Sequence, residues 1–538
     1  MKPSNLFSTL AAASVVAACG GDSATNLGTL DTTQVRGVLI QNPPPRTAFF
    51  TAGEFTAKLN ASATGRNLLA IAGTPKCGVD VQYINYTTVG GAGEPTTSSG
   101  ALMTPTGGEG CGGSRPLVLY AHGTTVTKSY NLANVLDENN AAYSEAILAA
   151  ATYAAQGFIV VAPNYAGYDI SPLGYHPYVN ADQQSKEMID ALSASRKALP
   201  GLLRPVQDSG KLLITGNSQG GHVAMATHKA LQAAGQAVTA SAPLSGPYAV
   251  AAYVDAIFYG NVPLGSTLFA PLLINSYQKA YGNIYGRLTD LYEPAYATGI
   301  DTLLPTDTPF STLTAPGGKL PLTALFNRTP PTALAGSPPS LQATLNAISP
   351  PTTPAGLAPL FALGFGTNNL VTNQARLNYL LDAFTNPDGG FPVLTTTAPA
   401  ANPAHPLRIA TKRNDMRSWT PTRPVFLCGG SGDPTVFYDV NTRLMQAYWS
   451  NPSPAAAPAG LVTVLDVDSA PTSAADPYAT AKVGFSQAKT STALAAISAG
   501  ASDGGVLAVT QAYHGSLVPP FCNAAARGFF QQVLSAGL

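Results

Sequence analysis

"TGNSQGGH", residues 215–222, decides how this chain is read. A single serine, Ser218, stands two residues after Gly216 and two before Gly220. The apolar run "KLLI" (211–214) comes before it, and "HVAMATHKALQAAG" (222–235) follows with helical spacing. The pattern is strand, sharp turn, helix. A tight turn leaves little room for side chains, and glycine at both flanks removes the Cβ atoms that would clash. Such a turn lifts the serine hydroxyl off the strand. It aims it at a helix N-terminus, where backbone N–H groups lack partners. A serine that only caps a helix needs neither glycine. Ser218 is therefore expected to be a nucleophile.

A serine hydroxyl needs a base to take its proton. Behind an elbow of this kind the acid and then the histidine follow along the chain. Of the six histidines, only His405 and His514 come after Ser218. His405 lies in the Pro-rich "NPAHPL", ahead of the last strand-like runs. His514, in "AYHGS", precedes the closing helical stretch and is the expected base, placed in a Gly-containing loop. The acid should follow a strand between the two. "PVFLCGGSGDPTVF" puts Asp433 in a Gly-rich loop after an apolar run. Its task would be to hold the imidazole tautomer and stabilise the ring when charged. Asp439, Asp466 and Asp468 are rivals. An oxyanion needs two aimed backbone N–H donors. Gln219 supplies one. The loop "AHGTT" (121–125) supplies the other, with Thr124 the first choice and Gly123 the second. His176, in the aromatic segment "YDISPLGYHPYVNAD" (168–182), is expected to be structural.

Further out, "RPLVLYAHGTT" (115–125), "FIVVAPNYAG" (158–167), "AVTASAPLSG" (237–246), "RPVFLCGG" (423–430) and "GLVTVLDVD" (460–468) read as strands. Stretches at 141–157, 180–199 and 523–537 read as helices. This alternation implies an α/β fold with a mostly parallel sheet covered on both faces. A hairpin is expected from "VQYINYTTV" (81–89) to "ALMTP". From 251 to 415 the alternation gives way to helical pieces with Pro-rich joints, read as an inserted helical cap. The core is then 46–250 plus 416–538.

The first residues, "MKPSNLFSTLAAASVVAACGGDS", join one positive side chain to a short apolar run and a cysteine. Val16-Ala17-Ala18-Cys19 resembles a bacterial lipobox, which implies a signal peptide over 1–18 and lipidation of Cys19. Residues 19–45 would be a tether to the membrane, and Gly20 implies sorting to the outer membrane or cell surface. Four other cysteines remain in an exported chain, and four allow three connectivities. Cys77 and Cys111 flank the hairpin, and Cys428 and Cys522 flank the acid and base segments, so Cys77–Cys111 and Cys428–Cys522 are the expected pairs. No Cys-x-x-Cys occurs and the histidines are scattered, so a metal site has no support. Charged residues are 10% of the 538 and the formal net charge is zero, which argues against a nucleic-acid partner.

Together "VLYAHGTT", "GFIVVAPNYAGYD", "ITGNSQGGHVA", "PVFLCGGSGDPTV" and "AYHG" resemble the α/β-hydrolase superfamily, and within it the secreted bacterial and fungal lipase/esterase family. The resemblance covers about 80–250 and 420–538. It implies carboxylic ester hydrolysis by Ser218, Asp433 and His514 without a cofactor. A serine peptidase, a polyester or aromatic-ester hydrolase, and a catalytically silent surface binding module stand as alternatives.

Overall fold

The apolar runs become the strands β1 Arg46–Phe50, β2 Gly78–Val89, β3 Pro95–Thr106, β4 Ser114–Ala121, β5 Ile159–Pro163, β6 Gln207–Asn217, β7 Ala240–Leu244, β8 Val425–Gly429 and β9 Val462–Asp466. The structure is a computed structural model and describes residues 35–450 and 456–537. The strands form one sheet in the order β1-β2-β3-β5-β4-β6-β7-β8-β9. Antiparallel pairing links β1, β2, β3 and β5, and every later pair is parallel. All five residues of β5, β7 and β8 are buried, which is why their sequences are continuous rather than alternating. The β2–β3 hairpin runs in register from Gly78↔Thr106 to Val89↔Pro95, and the Cys77–Cys111 disulfide closes its open end.

The helices before the cap are α1 Ala52–Asn60, α2 Ala63–Ala72, α3 Tyr143–Thr152, α4 Ala181–Ala198 and α5 Gln219–Ala233. The cap helices named here are α6 Val250–Phe258, α7 Ser266–Tyr281, α8 Asn373–Thr385 and α9 Pro406–Arg413. After it come α10 Ala479–Ser498, α11 Val506–Ala512 and α12 Val518–Ser535. Helices α4 and α5 pack together on one face of the sheet, and α2, α3 and α12 pack together on the other. This is the α/β-hydrolase fold with a helical insertion. The insertion has its own apolar centre, including Val254, Phe258, Tyr277, Phe326, Tyr379 and Leu407. Buried charges cross it. Arg408 pairs with Asp255 of α6 and Asp382 of α8, each at 2.9 Å. Arg417 pairs with Asp388 and Asp415, each at 2.8 Å.

Three features differ from expectation. Residues 35–45, read as the end of a tether, are docked on the core. β1 covers only Arg46 to Phe50 against Val79 to Gln82, so the outer part of β2 is open, and residues 37–40 fill it. Gly37 N–H donates to Thr87 at 2.9 Å and Ile40 N–H to Asn85 at 2.8 Å. Arg36 meets the buried Asp190 at 2.9 Å, bringing a cation to a carboxylate that also accepts from the Thr88 hydroxyl at 2.8 Å. Second, His514 is not in a loop. Tyr513–Leu517 is a wide helical turn running from α11 into α12. Third, the long helix α10 follows β9 in a stretch for which no element was expected. The expected signal peptide over 1–18, the expected lipidation site Cys19 and residues 20–34 lie outside the described residues. No helix among the described residues is long and apolar enough to cross a membrane.

Candidate active site

Strand β6 ends at Asn217 and α5 begins at Gln219, so the whole reversal falls on Ser218. Its φ of 62° and ψ of −123° lie where a side chain is strained, a cost of roughly 1–3 kcal/mol. The surroundings explain both glycines. A Cβ on Gly216 would stand 2.3 Å from the Ala121 carbonyl oxygen, and one on Gly220 would stand 2.0 Å from it. β4, the elbow and α5 can meet this closely only without those atoms. Ser218 N–H donates to Leu244 of β7 at 2.9 Å, which ties the turn to the sheet.

The structure brings the three named residues into one line. Ser218 Oγ lies 2.7 Å from His514 Nε2, and His514 Nδ1 lies 2.6 Å from Asp433 Oδ2. A carboxylate only accepts, so Nδ1 carries the proton, and in the neutral ring Nε2 is left to accept from the serine. The other oxygen of Asp433 accepts from the N–H groups of Thr435 at 2.8 Å and Val436 at 3.0 Å. The rivals are engaged elsewhere. Asp439 is exposed and pairs with Arg443. Asp466 accepts from Ser431 N–H, and Asp468 accepts from the Tyr513 hydroxyl. His405 caps α9 by accepting from Leu407 N–H. The disulfide Cys428–Cys522 joins β8, which leads to the acid, to α12, which follows the base.

As the first residue of α5, Gln219 carries an N–H that the helix cannot pair. Of the two residues named in the facing loop, Gly123 is corrected. Its N–H donates to Glu145 at 3.0 Å and is not free for a substrate. Thr124 N–H makes no hydrogen bond among the described residues. Sequence reasoning missed Glu145, which also accepts from Tyr120 at 3.0 Å and Tyr130 at 2.8 Å and so fixes this loop. Nothing in α3 marks it, because its partners lie on other segments. His176 holds Gln219 by its side chain. Its Nδ1 donates to the Ala166 carbonyl at 2.9 Å, leaving Nε2 to accept from Gln219 Nε2 at 2.6 Å. Burial pushes this imidazole down to about 3, so it stays neutral.

An apolar cavity opens beside Ser218. Its walls include Tyr178, Val250, Val254, Phe258 and Leu273, chiefly from α6 and α7. None of the described residues lining it carries a charge. No group of three or more His, Cys, Asp or Glu among the described residues is placed to hold a metal ion.

No protein-family model matches the chain. No curated protein matches it. Solved structures do. The chain is similar to the rice cell wall degrading esterase LipA from Xanthomonas oryzae, at 25% identity over 85% of this chain and 96% of that one, with a TM-score of 0.56. A ligand-bound form of that esterase matches at 24% identity over 84% and 95%, with a TM-score of 0.57. A protein described as a hydrolase from Legionella pneumophila matches at 17% identity over 92% and 98%, with a TM-score of 0.56. The fold is thus that of an esterase-like hydrolase.

Proposed function

We propose that the protein hydrolyses carboxylic esters through an acyl-enzyme on Ser218, working as an exported, lipid-anchored serine esterase or lipase. The observation that carries this reading is the line Ser218–His514–Asp433 at the mouth of an uncharged cavity. His514 Nε2 takes the serine proton as Oγ attacks the ester carbonyl. The N–H groups of Gln219 and Thr124 hold the developing oxyanion, helped by the positive end of α5. Asp433 stabilises the imidazolium. His514 then gives its proton to the departing alcohol. Water, deprotonated by the same nitrogen, releases the acid and restores the serine. An apolar acyl or aromatic group suits the cavity walls. A peptidase that selects a charged terminus is disfavoured, because none of the described residues lining the cavity is charged.

The test is turnover of p-nitrophenyl acetate, butyrate and palmitate by the wild type and by Ser218→Ala. Turnover that vanishes in the variant supports the reading, and the chain-length ranking separates esterase from lipase. Failure of the wild type on every ester, with cleavage of peptides, would move the assignment to a peptidase. Failure on both would favour a binding module.

A further inference from the structure

Asp468 was a rival for the acid, and the structure gives it different work. Tyr513 immediately precedes His514 in the same helical turn and is buried. Its ring packs edge-on against Phe485 of α10. Its hydroxyl donates to Asp468 Oδ2 at 2.5 Å and accepts from Gly432 N–H at 3.1 Å. Gly432 immediately precedes Asp433. Lys489 pairs with the other oxygen of Asp468. Two glycines of the acid loop leave room for this hydroxyl and its carboxylate partner. A Cβ on Gly430 would stand 2.3 Å from the Tyr513 hydroxyl, and one on Gly432 2.9 Å from Asp468 Oδ2. Burial, and then the hydrogen bond to Asp468, push the phenol well above its ordinary value, so it stays protonated.

Resting on the ester-hydrolase reading above, we propose that Tyr513 is a positioning residue that sets the separation of His514 from Asp433. One side chain touches both segments: by its backbone it belongs to the base, and by its hydroxyl it grips the acid loop. Without that hydroxyl, Gly432 N–H loses its acceptor and Asp468 its donor, and the acid loop is free to shift. A misplacement of about 1 Å can cost on the order of a hundredfold in rate.

The experiment is steady-state kinetics on p-nitrophenyl butyrate with Tyr513→Phe, Asp433→Asn and the double variant. In Tyr513→Phe, kcat is expected to fall roughly ten- to a hundredfold while KM stays within about twofold. Adding Tyr513→Phe to Asp433→Asn should cost less than about twofold more, because the brace then has no acid to place. A merely structural tyrosine would give losses that multiply, and that result overturns the proposal. So does a Tyr513→Phe enzyme with kcat within about twofold of wild type. If Tyr513→Phe does not fold, Asp468→Ala removes the other end of the brace and must show the same kcat loss. Unchanged kcat there overturns the proposal. Ser218→Ala is measured alongside. Full activity in that variant sinks Ser218 as the nucleophile, and with it the Ser218–His514–Asp433 reading this proposal rests on, whereas an inactive Ser218→Ala with an intact Tyr513→Phe sinks this proposal alone.

Discussion

In the sheet beneath Ser218, glycines at 216 and 220 let β4, β6 and α5 approach closer than any Cβ would permit. In the cap above it, Arg376 and Arg408 lie buried and make the joints, and Arg417, just past the cap's last residue, lies buried and holds its end. Arg376 donates to the Phe258 and Ile348 carbonyls and to Ser349, while the other two clamp pairs of aspartates. The core is positioned by backbone geometry and the cap by charge. The reason is length. A long ladder of strands fixes orientation by itself, whereas short helices with Pro-rich joints need directional, charge-assisted bonds to choose one arrangement. In a chain with only 10% charged residues, three buried arginines in one region mark where that need lies.

The contrast can be broken by substitution. The largest effect is expected in the core and on chemistry alone. Ser218→Ala should lower kcat by about a thousandfold or more while leaving the melting temperature unharmed, as read by ester turnover and calorimetry. The next belongs to the cap and to stability alone. Arg417→Ala strands Asp388 and Asp415 in the interior and should cost about 3–5 kcal/mol in denaturant unfolding. A stable Arg417→Ala protein would show that the cap does not depend on its charges.

Acidification spans both regions. Burial holds His176 at about 3 and His222, His228 and His405 at about 4, below the ordinary value of 6.5. The unfolded chain therefore takes up protons that the folded one refuses. Stability is complete above pH 6.5 and falls as pH drops from there towards 4, by up to about 1.4 kcal/mol per pH unit for each histidine kept neutral. Melting temperatures across pH 4–8 check this. A flat profile would mean that these rings take up protons in place. Smallest is Arg443→Ala. Its ion pair with Asp439 is exposed on both sides, so the change should stay below about 0.5 kcal/mol. A larger loss would erase the distinction between buried and surface charge.

What could be read from sequence follows the same division. The elbow, the strand–helix alternation and the positions of Asp433 and His514 are local patterns, and local backbone chemistry writes them into neighbouring residues. The cap's joints are not local. Arg408 and Asp255 are 153 residues apart, and nothing near either residue announces the other. Glu145 and its hold on Gly123 were hidden for the same reason. His514 was expected in a loop because Gly515 suggests a break, yet α11 and α12 carry the helical path through it. Residues 35–45 looked like tether because they end a stretch, 20–45, rich in Gly, Thr, Asn and Pro that closes on "QNPPPRT". Their docking depends on an open stretch of β2 and on a buried Asp190, both set by other parts of the chain.

The bond between Cys428 and Cys522 joins residues 94 positions apart in sequence, and both Asp433 and His514 lie within that ring. Between them run α10, α11 and the exposed turn Ser502–Gly504. A protease that cuts this turn would open the ring without releasing either end. The cut chain would migrate as one species until reduced and as two afterwards. An interruption in this stretch would therefore leave the acid and base covalently joined.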